Sequence, residues 1–375
     1  MLESDSFEEY LPPVAAGVSP GLISPSAFSD ISSLARVLPS TLAYNTFGFE
    51  CRLGEELPRA DFLVLARASC GRDSLAGLHP TSTLPARLMT DPVWSRVRDF
   101  SSHWADPSSP LYHAVDNVWL EFDVDGPAPD VPVPSIFFGP QSNDQIDDIE
   151  VAGEPNAEGR LATVERTIRL LAGGEPPPLR MLEGCFRALS SDEQVFQVGL
   201  MLSRGEDAVR LCIRMRSVER IMEYLTVVGW PGDEADLRGV LEPLARSVDG
   251  VVLAIDVGDA VGAKIGLECY FYENRQPRRE PRWGAFLNSL VLQGLCTPDK
   301  REALLAYSGY FDQNAHGVPW PAALRRASRL LGGRSLSTFV RSLHHVKIVH
   351  RPGNPLEAKA YLASNHHWHT PTSRS

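Results

Sequence analysis

The 375-residue chain contains no run of about 18 apolar residues, the length a helix needs to cross a bilayer. Its first residues, Met1 to Pro20, lack the basic start and apolar stretch of a secretory leader. Cysteine is sparse and unpaired in sequence: Cys51, Cys70, Cys185, Cys212, Cys269 and Cys296 include no Cys-x-x-Cys, and three of them fall inside expected strands. That usage reads as reduced, buried thiols in a soluble cytoplasmic protein. There is no basic excess either. A formal net charge of −11 argues against general nucleic-acid binding, which needs a cationic face, while leaving room for a local basic pocket that takes a small anion. The chain has no Gly-x-Ser-x-Gly elbow and no His-Glu-x-x-His. Gly258 to Gly262 followed by Lys264 lacks the spacing and the Ser/Thr of a phosphate-binding loop and reads as a hairpin turn.

What the chain does have is a repeated switch of apolar period. Residues 1–25 and 365–375 are expected to be disordered tails, and 26–364 a single domain. Within it, helices are expected at Ser26–Leu38, Asp91–Trp104, Leu161–Ala172, Leu179–Leu189, Val218–Val228, Glu234–Ser247, Trp283–Gln293, Pro298–Tyr307, Pro321–Leu331 and Ser335–Ser342. Between them the period of two marks strand pairs. These are Thr46–Leu53 with Asp61–Arg67, Asn117–Val124 with Ser135–Phe138, Gln194–Ser203 with Ala208–Arg216, Val251–Val257 with Lys264–Tyr272, and His345–His350 with Ala358–Ala363. The order is helix then hairpin, five times over. Ten antiparallel strands approach the limit of an open twisted sheet, so closure is the economical solution. A ten-stranded barrel is wide enough to hold a ligand cavity. The expected class is therefore α/β: five helix–hairpin (ααββ-type) repeats forming a ten-stranded antiparallel barrel with a polar lumen, surrounded by helices.

Alternation identifies the residues that share a face. Opposite the apolar Val118, Leu120 and Phe122 lie Trp119, Glu121 and Asp123. Opposite Val209, Leu211 and Ile213 lie Arg210, Cys212, Arg214 and Arg216. Opposite Ile265, Leu267, Cys269 and Phe271 lie Lys264, Glu268, Tyr270 and Tyr272. Glu50 and Arg52 share the polar face of the first hairpin, and Lys347, Lys359 and Tyr361 that of the last. Helices need the apolar face, so the charged face must point into the barrel. An open sheet wetted on one side would give the same alternation strand by strand. Residue choice separates the two, because Arg, Lys and Tyr recur on the polar face where Ser and Thr would be usual.

A lumen holding Arg210, Arg214, Lys264, Lys347 and Lys359 is suited to a multiply charged anion. Tyr270, Tyr272 and Tyr361 can donate to phosphate oxygens or present π faces to a cation. Glu50, Glu121, Asp123 and Glu268 can hold an N–H or O–H, or take its proton. Carboxylates beside an anion repel it unless they pair with Arg or bind Mg²⁺, which is a possible cofactor on this reading.

This organisation resembles the ABBA-type aromatic prenyltransferases (the PT-barrel), which include indole and phenol prenyltransferases and cyanobactin peptide prenyltransferases. The resemblance spans most of residues 26–364 and rests on repeat architecture and lumen composition. Its closest local match is Lys359-Ala360-Tyr361, similar to the family's Lys-x-Tyr strand pattern. It implies transfer of an isoprenyl group from its diphosphate to an aromatic small molecule or peptide side chain in natural-product biosynthesis. Arg210, Arg214, Lys264, Lys347 and Lys359 would hold the diphosphate. Tyr270, Tyr272 and Tyr361 would shield the allyl cation, and Glu121 or Glu50 would orient and deprotonate the acceptor. Trp119, Asp123 and Glu268 would complete the lumen. The expected partners are thus an isoprenyl diphosphate and an aromatic or peptide acceptor, with neither nucleic acid nor membrane. A non-catalytic barrel that binds a peptide or partner protein, and a carboxylate-based peptide-modifying enzyme, stand as alternatives.

Weaker signals are set aside. Asn143 to Asp148 is acidic but reads as a solvated loop. His366, His367 and His369 read as exposed tail residues, and the basic run Arg275 to Arg282 as a surface loop. One of His344 and His345 is expected to face the lumen only as a secondary reading.

Overall fold

The structure is a computed structural model and describes residues 6–79, 84–140, 157–173, 179–272, 276–332 and 335–369. The hairpins form as the alternation demands: β1 (Phe47–Arg52) with β2 (Ala60–Arg67), β3 (Val115–Phe122) with β4 (Ser135–Pro140), β5 (Gln194–Leu200) with β6 (Val209–Arg214), and β7 (Gly250–Val257) with β8 (Val261–Tyr270). A short β9 (Gly309–Asp312) precedes the long last pair, β10 (Leu336–His350) and β11 (Glu357–His369). Every pairing is antiparallel. β11 bonds to both β10 and β1, so β1 to β8, β10 and β11 close into a ten-stranded barrel. β9 adds to β10 where that strand extends beyond its pairing with β8. Closure removes the exposed edges that an open sheet would leave.

Helices fill the links between hairpins, and their starts are written locally. Ser24, Asp91, Ser217, Asp233 and Thr297 each accept backbone N–H bonds at a helix start, and Pro25, Pro92 and Pro298 occupy the first turn. The helices cover the apolar strand faces. Val118, Leu120 and Phe122 of β3, Leu211 and Ile213 of β6, and Ile265 and Leu267 of β8 all belong to one continuous core between barrel and helices. Trp94 and Trp104, on the helix Pro92–Ala105, are fully buried there. Their indole N–H groups donate to Pro132 O and Val115 O, both at 2.8 Å, so burying two large rings leaves no unmet donor. Among the described residues no helix is long and apolar enough to cross a membrane.

Three segments differ from the sequence reading. Ser335–Ser342 is not a helix. Leu336, Phe339 and Leu343 have helical spacing, but residues 336–343 run as strand, in register from Leu336↔His369 to Leu343↔Leu362. Tertiary pairing here overrides a short local pattern. The N-terminal segment from residue 6 onward is docked rather than tail-like: Phe7, Tyr10, Leu11, Val14 and Leu22 are buried. Phe7 packs edge-on against Phe47 and Phe62, so five apolar side chains supply the burial that the Pro/Ser content obscured. At the other end, β11 continues through His369, because its length is matched by β10; residues 370–375 lie outside the described residues.

Candidate active site

The inward faces converge on one cavity of about 1030 Å³. Glu50, Trp119, Glu121, Arg210, Arg214, Lys264, Glu268, Tyr270, Tyr272, Lys347, Lys359 and Tyr361 all line it. Asp123 does not. β3 ends at Phe122, and the Asp123 carboxylate turns to Arg204 (Nη2 to Oδ1, 2.6 Å) and to the Ser203 hydroxyl at 2.8 Å. Alternation holds only while the strand does.

The cations of the lumen are largely paired with its carboxylates, and barrel register makes the pairs. Glu50 of β1 lies opposite Tyr361 of β11, and Lys359 is two residues away on the same face. Glu50 Oε1 accepts from Lys359 Nζ at 2.5 Å, and Oε2 accepts from the Tyr361 hydroxyl. Burial opposes ionisation of Glu50, but the Lys359 charge and these two hydrogen bonds outweigh it and hold the carboxyl at about 2. Lys347 of β10 lies opposite Glu268 of β8, with Nζ to Oε1 at 3.1 Å. Both are more than nine-tenths buried. Gly266 makes room for this pair, since a Cβ there would sit 2.5 Å from Lys347 Cε. Arg210 of β6 grips Asp256 of β7 with both arms, Nε to Oδ1 at 2.7 Å and Nη2 to Oδ2 at 3.1 Å. Lys264 Nζ approaches the same carboxylate at 3.3 Å. Arg214 lies over the Phe196 ring, 4.6 Å from its centroid. The cation cage expected from sequence is thus present but internally compensated.

Glu121 is the exception among the carboxylates. It makes no hydrogen bond or ion pair among the described residues, and burial followed by the Glu50 charge pushes it up to about 8. At neutral pH it is a neutral acid, able to donate a hydrogen bond. Glu50 and Glu121 therefore sit in one cavity in opposite protonation states, the environment-driven division that acid–base chemistry uses.

Two features were not legible in the strand pattern. One wall is apolar: Leu63 and Leu65 of β2, Trp119 of β3 and Phe137 of β4. Phe137 packs over Gly199 of β5, where a Cβ would come within 2.4 Å of the ring. The other is a β-bulge in β10. Pairing with β11 passes from Leu343↔Leu362 to His345↔Tyr361, leaving His344 as the extra residue. Both histidines consequently line the cavity, where strict alternation would allow one. Their Nδ1 atoms are 2.7 Å apart. His345 stacks between Tyr361 and Tyr270, at centroid distances of 4.1 and 4.9 Å, and Tyr270 stacks in turn with Tyr272 at 6.3 Å. The result is a four-ring aromatic ladder up one side of the lumen. Asp256 was likewise missed, although Val252, Ala254 and Asp256 share a face in β7.

Among the described residues no three His, Cys, Asp or Glu side chains converge on a metal position. Glu50, Glu268, Asp256 and Asp123 each face Lys or Arg, so this donor set does not fit a resident Mg²⁺. Residues 143–148 and Arg275 lie outside the described residues. Arg282, at the end of the basic run, is held by Asp249 and Glu280. His366 is not an exposed tail residue: its Nε2 is 2.8 Å from the Ser337 hydroxyl, and burial, then His367, lower its pKa to about 4.

No protein-family model and no curated protein matches the chain. Solved structures do. The apo form of the prenyltransferase PriB aligns over 95% of this chain and 94% of its own, with 13% identity and a TM-score of 0.50. The chain has the fold of the aromatic prenyltransferase barrel. A second similar structure is 5-dimethylallyltryptophan synthase from Streptomyces coelicolor, at 15% identity, with 96% and 98% coverage and a TM-score of 0.49. PriB has also been crystallised with L-tryptophan and dimethylallyl thiolodiphosphate. At these identities the likeness extends to architecture, and the chemistry must be argued from the lumen itself.

Proposed function

We propose that this barrel transfers an isoprenyl group from an isoprenyl diphosphate to an aromatic small molecule or an aromatic peptide side chain. The observation that carries the reading is the division of one closed lumen into three sectors. An apolar wall (Leu63, Leu65, Trp119, Phe137) suits a hydrocarbon chain or an aromatic ring. An Arg/Lys sector (Arg210, Arg214, Lys264, Lys347) suits the diphosphate. Alongside the cations, on β8, β10 and β11, the Tyr361–His345–Tyr270–Tyr272 ladder would offer π faces to an allyl cation and keep water from it. Breaking the allylic C–O bond leaves the electron pair on the diphosphate, where Arg and Lys compensate the developing charge. Glu50, ionised and fixed by Lys359 and Tyr361, would orient an acceptor N–H or O–H, and the proton the acceptor sheds as its bond to the isoprenyl carbon forms would leave on the released diphosphate. Glu121, protonated at neutral pH, would donate a hydrogen bond rather than take a proton.

The reading is tested by thermal shift and product mass. Dimethylallyl diphosphate at 100 times its Kd should stabilise the protein by about 2.7 kcal/mol. Arg214→Ala and Lys264→Ala should remove that shift, and incubation with L-tryptophan and a panel of indoles and phenols should add one prenyl mass. Absence of any shift with dimethylallyl, geranyl or farnesyl diphosphate, with or without Mg²⁺, overturns it. One observation favours a second reading, a diphosphate-independent acid–base enzyme: Glu50 and Glu121 are driven to opposite protonation states in one cavity. That reading requires activity abolished by Glu121→Gln with diphosphates irrelevant.

A further inference from the structure

Resting on the anion-site reading, a second question is how an anion enters a lumen whose cations already hold carboxylates. Glu268 is the sharpest obstacle. It is 6% exposed, its Oε1 holds Lys347, and its Oε2 accepts from the Tyr270 hydroxyl at 2.9 Å. A phosphate oxygen recruited by Lys347 would approach this carboxylate closely, and two anions in a low-dielectric site repel strongly. The same carboxylate oxygen has a neighbour able to change charge: His345 Nε2 is 3.9 Å away. The β10 bulge brings that imidazole into the lumen and joins it through Nδ1 to His344. At 2.7 Å the two Nδ1 atoms share one proton, so a neutral pair has one ring nitrogen donating and the other accepting.

We infer that His344 and His345 belong to the anion site, and that a diphosphate enters this lumen together with one proton, which the histidine pair takes up. With the shared proton on His345 Nδ1, a proton arriving from solvent adds to His345 Nε2, and the pair ends with one positive charge on the His345 ring, still donating from Nδ1 to His344. No bond other than N–H forms or breaks. The new charge lies beside Glu268, offsets its repulsion of the phosphate, and leaves Lys347 free to turn toward the ligand.

The groups facing the pair favour this direction. From its own strand comes Lys347, and from β8 come Glu268 and Tyr270. From β11 and β1 come Tyr361, Lys359 and Glu50. Arg210 and Cys212 face it from β6, and Glu121 from β3, while β7 presents Val252 and Ala254. An added diphosphate, with about three negative charges near neutral pH, adds a negative field that favours a positive charge on the pair.

Calorimetric titration with dimethylallyl thiolodiphosphate tests this at pH 7.5, in two buffers of different ionisation enthalpy. That ligand is almost fully ionised at this pH, so a proton gained must be gained by the protein. The expected result is uptake of about one proton per ligand. Because the bound state holds the extra proton, affinity should fall as pH rises, by up to about tenfold per pH unit for one proton taken up. His345→Asn and His344→Asn should each remove most of the uptake and flatten most of the pH dependence, while Glu121→Gln should remove only the smaller fraction that Glu121, raised to about 8, takes up at this pH. Wild-type binding without proton uptake overturns the inference alone. Uptake undiminished in both histidine variants, or abolished by Glu121→Gln, overturns the assignment to this pair. Absence of any binding overturns the anion-site reading beneath it.

Discussion

Replacing Lys359 by Met tests the electrostatic design of the lumen most directly. The change removes the ammonium that Glu50 Oε1 binds at 2.5 Å but keeps most of the side-chain volume. Glu50 stays buried, with the Tyr361 hydroxyl and the more distant Lys347 charge left to compensate it. Breaking a buried pair by removing one partner costs about 3–5 kcal/mol, because the remaining charge is stranded. With an unfolding entropy of about 2.1 cal/mol/K per residue over 375 residues, roughly 0.8 kcal/mol/K, that is a loss of about 4–6 °C in Tm. The pH dependence carries the diagnosis. In the wild type Glu50 is depressed below its unfolded value of about 4.3. Its contribution is present above that value and is lost as pH falls through about 2. In Lys359→Met burial dominates and Glu50 is raised instead. The variant should then be closest to wild type at the acid end, near pH 2, and fall further behind as pH rises from 5 to 8. Glu50→Gln combined with Lys359→Met should recover most of the loss, since no charge remains to strand. Urea titrations followed by tryptophan fluorescence at pH 5 and pH 8 measure this. A Lys359→Met variant as stable as wild type at pH 8, or one whose deficit ignores pH, would refute the stranded-charge argument.

Two further substitutions probe other parts of the site. Glu121→Gln should change stability by less than about 1 kcal/mol near pH 4. Because the Glu121 carboxyl is raised to about 8, its favourable neutral form is lost as pH climbs from about 4.3 through 8. Wild type should therefore fall behind the Gln variant by up to about 1.4 kcal/mol per pH unit across that window, read from urea midpoints; parallel pH profiles would contradict the assignment. Gly199→Ala places a methyl where 2.4 Å separates it from the Phe137 ring, which must tilt into the cavity. A destabilisation of about 1–3 kcal/mol and weaker binding of apolar ligands should follow, and unchanged stability would show that the ring has room to move.

Much of the fold was legible because each hairpin carries its own alternation. Val118-Trp119-Leu120-Glu121-Phe122 declares two faces without reference to the rest of the chain. The same holds for Arg210 with Arg214, and for Lys359 with Tyr361. Twelve of the thirteen side chains expected in the lumen line it, the exception being Asp123, which lies beyond the last residue of β3. The long β10 was less legible. Leu336, Phe339 and Leu343 mimic a helical stripe, and only pairing with β11 makes the segment a strand.

The sequence by itself determined which residues share a face, because side-chain direction along a strand is a local property with a period of two. It also determined that the charged face would be the one turned away from the helices, because helices can bury only the apolar one; closure of β11 on β1 made that face inward. Tertiary structure alone decided who meets whom across the barrel. Lys359 reaches Glu50 through the closure of β11 on β1, and Lys347 reaches Glu268 through the β10–β8 register. Arg210 finds Asp256 because β6 lies beside β7. These pairings, with Lys264 on the same Asp256, set four of the five expected cations against carboxylates. They also leave Glu121 protonated and, through one bulge, bring a second histidine into the lumen. None of that is a property of a single strand: charge compensation depends on distances between residues as many as 309 positions apart, fixed only when the barrel closes.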